Sequence, residues 1–300
     1  MESNSTAFLI KIKLRHSLGR PSRSDFVQSR FAKVLGIAST VFLVIYTIFS
    51  VFPLIWMVII SFKSDVDMFK TLFIFKPTLD NFRNVLTTGN YVKAFGDNFI
   101  ICSGAVLVSV IVGVPAAYAL ARYNFKRKET VAFTILSFKF APEILIIIPL
   151  FAIFQKLHLY DTYFGMIWIY QFIGLPLLIW VLRGYFEDIP VEMERAAELD
   201  GYSWFEVFFK MLIPLIRPGL VAAALLTFIF CWNNFTFGLM LCGFNIQTIT
   251  VSALTYIATD TIHYGQMAVA SLIAIAPEIV LCLCIQKHLV RGLSFGAVKG

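Results

Sequence analysis

The chain has 300 residues, 59% of them hydrophobic and 14% charged, with a formal net charge of +7. A soluble domain carries about 45–50% apolar and about 25% charged residues, and the excess here comes in apolar blocks of about 20 residues, the length a helix needs to cross a hydrocarbon core of ~30 Å. That excludes a soluble globular fold, and the scatter of the basic residues through short membrane-flanking segments, with no nucleic-acid module, excludes nucleic acid as a partner.

Residues 1–33 form a basic tail, with Lys11, Lys13, Arg15, Arg20, Arg23, Arg30 and Lys33 against Glu2 and Asp25. The apolar run behind it is too long for a signal peptide, so the tail is expected to be retained. From there the sequence predicts an all-α integral membrane domain over 34–300, with six transmembrane helices at 34–62, 99–121, 131–154, 163–182, 218–241 and 267–286. Of the 25 Lys and Arg residues, 18 lie in the two ends and in the second and fourth loops, 6 lie in the first, third and fifth loops, and Lys139 falls inside a span. The positive-inside rule therefore predicts that both termini, and the loop at 187–214, are cytoplasmic.

The five cysteines lie in or at the edge of apolar runs, without metal-ligand spacing, and read as buried thiols. No nucleophile, metal or acid–base constellation is evident, so neither a catalytic site, a cofactor site nor a metal site is expected. Charged and amide groups do occur inside the spans. Lys139 and Glu143, separated by four residues around Pro142, would share one helix face, with Asn233 and Asn234 in the fifth span and Glu278 beside Pro277 in the sixth. Such groups line a polar path or pair with one another to hold helices together. A path reading allows two mechanisms, a polar lining for a solute or a proton relay through Lys139, Glu143 and Glu278 in an ion-gradient-driven secondary carrier. A non-transporting scaffold is the third alternative.

The polar stretch at 187–214 is unlike the rest. Asp188 is expected to cap a helix with Pro190 in its first turn, Glu192 and Glu194 near the positive end of its dipole, and Gly201 ending it. Ser203-Trp204-Phe205-Glu206 has the spacing of a capping box, opening a second helix that Pro214 is expected to stop. On residue pattern alone this pair of helices suits either a protein groove or the membrane surface.

The run Glu194-Arg195-Ala196-Ala197-Glu198-Leu199-Asp200-Gly201, with Ile213-Pro214 following, resembles the EAA loop of permease subunits in binding-protein-dependent ABC importers. Trp232-Asn233, Tyr264-Gly265-Gln266-Met267-Ala268 and the segment 290–300 look like the carbohydrate-importer branch, the maltose-permease-like family. The glutamate usual directly before the two alanines is Arg195 here, with an acid displaced to Glu194.

The resemblance implies a subunit of the bacterial inner membrane that transmits ATPase motion through a coupling helix, with Glu194, Ala196, Ala197, Asp200 and Gly201 as the coupling residues. It implies half of a translocation path for a small carbohydrate or polyol, with Lys139, Glu143, Asn233, Asn234 and Glu278 as candidate lining. The implied partners are a second, non-identical permease, two ATPase subunits that use ATP and Mg, an external solute-binding protein and the lipid bilayer. The loop at 242–266, free of Lys and Arg, would either approach the binding protein, as such a loop does in related importers, or serve as an ordinary connector.

Overall fold

The computed structural model describes residues 23–69, 73–87, 90–257 and 262–294, with side chains from 35 to 283 among them. Its helices are α1 (Arg23–Ser61), α2 (Asp80–Thr87), α3 (Tyr91–Arg122), α4 (Lys128–Ser137), α5 (Glu143–Lys156), α6 (Tyr163–Ile169), α7 (Gln171–Glu187), α8 (Val191–Leu199), α9 (Trp204–Trp232), α10 (Thr236–Leu241), α11 (Ile249–Ser252) and α12 (Tyr264–Ser294). Among the described residues the only strand-like feature is an isolated bridge between Ile257 and Ile262.

Among the described residues, four stretches are long and apolar enough to cross a membrane: Leu35–Ser61, Tyr91–Arg122, Trp204–Trp232 and Tyr264–Leu283. Two bent pairs, Lys128–Phe140 with α5 and α6 with α7, bring the total to six if each pair is one span.

Most of the expected basic tail, residues 1–22, lies outside the described residues. Its last part is helical, because no proline or glycine separates Arg23 from the apolar run and a helix propagates where nothing breaks it. The chain up to Trp56 forms one unit. From Leu35 to Trp56 the helix is apolar on every side, with Phe49 75% exposed, Phe42 stacked on Tyr46 and Phe52 on Trp56. A helix of this kind suits lipid or other membrane helices.

The second unit begins at Met57. At its centre α3, 32 residues long, packs against α7 and α9, and α9 packs against α12. Gly174 lets α7 come close to both neighbours: a Cβ there would lie 2.4 Å from Ser109 Oγ and 2.9 Å from Thr227 Cγ2. Gln171 joins the same contact. It accepts from Ser109 Oγ at 2.8 Å, and its Nε2 donates to the carbonyls of Ala105 at 3.2 Å and Ile167 at 2.8 Å. The bond to Ile167 puts a side chain into the helical ladder, and α6 and α7 bend there by 42°.

The third span is not the straight helix expected over 131–154. A 3₁₀ turn over Phe138–Phe140 ends its first half, and α5 leaves at 90°. Pro142 is the cause. It disfavours helical backbone at the residue before it, and Ala141 is extended at φ −63°, ψ 128°. Lys139 and Glu143 therefore do not share a helix face.

The fifth span also departs from expectation. Pro214 does not stop the helix, which runs from Trp204 to Trp232 through both Pro214 and Pro218. A π-helical segment over Val207–Leu212 precedes Pro214, and Ile213 N–H donates to the Phe208 carbonyl, five residues back. The wider turn gives room where the proline ring would otherwise meet the carbonyl of residue 210. The helix then ends at Trp232, earlier than expected, and a break at Asn233, Asn234 and Phe235 separates it from α10.

Candidate functional site

The two interrupted spans face each other. A cleft of about 340 Å³ lies between them, lined by Lys139, Glu143, Asn233, Asn234 and the rings of Phe172 and Phe230. Asn234 Nδ2 donates to both oxygens of Glu143, at 3.0 and 3.1 Å. Its Oδ1 accepts from Phe237 N–H at 3.0 Å, so the same side chain caps α10. Glu143 is the first residue of α5, where the helix dipole favours a carboxylate. Asn233, exposed at the end of α9, donates to Glu278 Oε1 and to the Ile229 carbonyl. Lys139 Nζ sits 3.5 Å from the centre of the Phe230 ring, a cation–π contact, and makes no ion pair with Glu143.

All five polar residues picked out from the sequence thus belong to one neighbourhood, but in two kinds of role. Asn234 and Glu143 satisfy each other and fix the two breaks. Lys139 and Asn233 remain open to the cleft, with Glu278 reached through Asn233. Cys102 and Cys231 are buried, as expected, whereas Cys282 is exposed on α12 and Cys284 has no described side chain.

The second candidate site is the polar helix α8. It begins at Val191, with Pro190 as its cap residue and no side-chain capping bond, so Asp188 does not cap it. Asp188 instead closes α7, its N–H donating to the Gly184 carbonyl at 3.1 Å, and the proline at 190 keeps Ile189 out of helical backbone. At the far end Gly201 has φ +93°. Gly201 N–H donates to Glu198 O and Tyr202 N–H to Ala197 O, both at 3.1 Å, the paired bonds of a Schellman motif. The capping box follows as the sequence predicts: Ser203 Oγ accepts from Glu206 N–H, and Glu206 accepts from Ser203 N–H.

The outward face of α8 carries Arg195, Ala196, Glu198, Asp200 and Leu199, the last 89% exposed. Beside it a groove of about 470 Å³ runs between Ala196, Ala197, Asp200 and Gly201's neighbour Tyr202 on one side and Glu206, Val207, Lys210 and Met211 on the other. Glu194 points the other way. It is 7% exposed and accepts from Tyr118 Oη at 3.0 Å and from Arg122 Nε. Reasoning from sequence gave Tyr118 no role and counted Arg122 only as a flanking charge.

A third feature went unseen in the sequence. Asp161 accepts the backbone N–H groups of Gly243, Asn245 and Ile246 at 2.8, 2.9 and 3.1 Å. Asp97 accepts from Tyr163 Oη at 2.7 Å and Gln247 N–H at 3.1 Å. These two acids fasten the start of the loop at 242–266, where the side chain of Phe244, between two fastened amides, is fully exposed. Burial, with Asp161 and Asp97 nearby, pushes the Cys242 thiol up to about 12, so it stays protonated. Asp97 and Arg122 lie 25 residues apart on α3, which places this loop and α8 at opposite ends of a helix stretch of roughly 38 Å.

Comparison with known proteins accounts for this architecture. Residues 109–295 match the model of the family described as binding-protein-dependent transport system inner membrane component. The trehalose/maltose transport system permease protein MalG of Thermococcus litoralis is 32% identical over 262 residues, covering 86% of this chain and 94% of the relative. The trehalose transport system permease protein SugB of Mycobacterium tuberculosis is 33% identical over 257 residues, covering 84% and 93%. A crystal structure of a bacterial ABC transporter involved in the import of the acidic polysaccharide alginate shares the fold, with a TM-score of 0.71 at 23% identity over 89% of this chain and 98% of its own. The chain therefore belongs to the binding-protein-dependent transport system inner membrane component family, as a multi-pass permease of the inner membrane.

Proposed function

We propose that this chain forms half of the translocation path of an ATP-driven importer for a sugar or sugar alcohol and receives ATPase motion through α8. Its partners would be a second, non-identical permease, two ATPase subunits that use ATP and Mg, and an external solute-binding protein. Both termini and α8 would face the cytoplasm, with Asp161 and the loop at 242–266 on the far side.

The observation that supports the coupling role is the outward face of α8, which offers Ala196, Leu199 and Asp200 to a partner beside a rigid glycine elbow. A gradient-driven carrier has no use for such an element. A carbohydrate-type solute is supported by the trehalose and maltose relatives and by a cleft in which the Lys139 ammonium and the Asn233 amide are open to hydroxyl groups.

The test is co-expression of the permease pair with its ATPase, followed by reconstitution with the binding protein. ATP hydrolysis stimulated by one of a panel of sugars and polyols is the expected result. Uptake that persists without ATP, driven by an ion gradient, would overturn it.

A further inference from the structure

Helix α8 is fastened at three points, in it and on either side of it, and all three lead to the last two turns of α3. Ahead of α8, Arg122 Nη2 donates to the Ile189 carbonyl at 2.9 Å. Within it, Glu194 takes bonds from Tyr118 and Arg122. Beyond the elbow, Trp204 Nε1 donates to Tyr118 Oη at 3.3 Å, and its indole stacks on Phe208, which meets the Tyr118 ring edge-on. Tyr118 and Arg122 are four residues apart and share one face of α3.

The alternative connection, through the chain into α9, passes the π-helical segment Val207–Leu212, which interrupts the regular helical ladder. The link to α3 is of the opposite kind. A buried carboxylate held by a guanidinium and a phenol is a strong and directional contact, and loss of the guanidinium would leave a buried charge without compensation. At its other end α3 reaches the cleft: Asn98 Nδ2 donates at 3.4 Å to the carbonyl of Trp232, the residue before the break at Asn233.

We infer that Glu194, Arg122 and Tyr118 form a latch that carries displacement of α8 to α3 and so to the cleft, which makes Glu194 a positioning residue inside this chain and not a contact for the ATPase. This rests on the reading of α8 as the helix that docks the ATPase. It also gives the acid at 194 a task that Arg195, exposed on the outer face, does not share.

The experiment uses the full complex with its ATPase and binding protein, comparing wild type with Glu194→Ala, Glu194→Gln and Tyr118→Phe. In Glu194→Ala the ATPase subunits should co-purify at the wild-type ratio while solute transported per ATP hydrolysed falls about tenfold, within the range of coupling between sites. Glu194→Gln, which keeps an acceptor for Tyr118, should lie between the two. If Glu194→Ala does not accumulate, Tyr118→Phe, which keeps the ring and removes one bond, should still lower the ratio severalfold. An unchanged ratio in Tyr118→Phe and Glu194→Gln, or loss of the ATPase from an otherwise intact Glu194→Ala permease, would overturn the latch. Failure of the wild-type permease to retain any ATPase would instead overturn the docking reading beneath it.

Discussion

Asn234 holds Glu143 by both carboxylate oxygens, at 3.0 and 3.1 Å, and in doing so joins the break in the fifth span to the right-angle bend in the third. Neither interruption would be stable alone in an apolar medium, where unpaired backbone groups are costly and irregular backbone persists only inside protein or beside water.

Replacing Asn234 tests this directly. Asn234→Ala should lower complex stability by about 1–2 kcal/mol, the scale of polar contacts between membrane helices. Asn234→Asp should lose more, because two carboxylates then meet where an amide and a carboxylate met. The measurement is the thermal midpoint of the detergent-purified complex. A Asn234→Asp variant as stable as wild type would show that the amide is not what holds Glu143.

Lys139 and Asn233 differ from that pair in facing the cleft without a carboxylate clasping the ammonium. Lys139→Met keeps length and apolar stem but removes the donor. If a solute takes that bond, transport should fall about tenfold or more, as expected from about 1.5–3 kcal/mol for a hydrogen bond to a charged group, with little change in thermal midpoint. Glu278→Gln should act in the same direction and more weakly, since an amide still meets Asn233. Transport at the wild-type rate in both variants would assign the cluster to packing alone.

Local signals were legible in the sequence where a residue's chemistry acts on its own neighbours. Gly201 and the Ser203 to Glu206 box are of that kind, and the structure has both in the expected form. Contacts between distant residues were not legible. Glu194 and Tyr118 are 76 positions apart, and nine residues of mixed polar helix do not reveal which face turns inward. The prolines misled in both directions, because Pro142 bends its span through Ala141 while the π-helical segment absorbs Pro214.

The Ser203 cap should contribute about 1 kcal/mol to the start of α9. Ser203→Ala removes the oxygen that accepts from Glu206 N–H, so amide exchange at Trp204, Phe205 and Glu206 should speed up severalfold while α9 beyond Pro218 keeps its protection. Unchanged exchange at those three amides would mean that the packing of Trp204 on Phe208, and not the cap, holds the entry to the helix.

At the other end of the bundle, Asp161 tests whether one carboxylate fixes the loop at its start. Its φ is +58°, a conformation that asparagine also tolerates, so Asp161→Asn preserves the backbone. One oxygen would still serve Gly243 and Ile246, while the amide nitrogen would confront the N–H of Asn245. Exchange at Asn245 should rise first and alone. Asp161→Ala should release all three amides, with α9 unaffected.

Gly201 separates conformation from size. A Cβ there would meet nothing within 4 Å, so no substitution is excluded by crowding. Its φ of +93° is the constraint, because a left-handed residue costs about 1–2 kcal/mol for most side chains and least for asparagine after glycine. Gly201→Val should therefore undo the two bonds that close α8, to Glu198 and Ala197, and tilt the face that carries Leu199. Gly201→Asn, although larger than alanine, should keep them. The readout is solute-stimulated ATP hydrolysis in the assembled complex, with Asn near wild type, Ala intermediate and Val lowest. A ranking by side-chain volume instead, with Ala nearest wild type, then Asn, then Val, would mean that a partner surface packs against the glycine itself and that the elbow is a contact point, not a hinge of fixed angle.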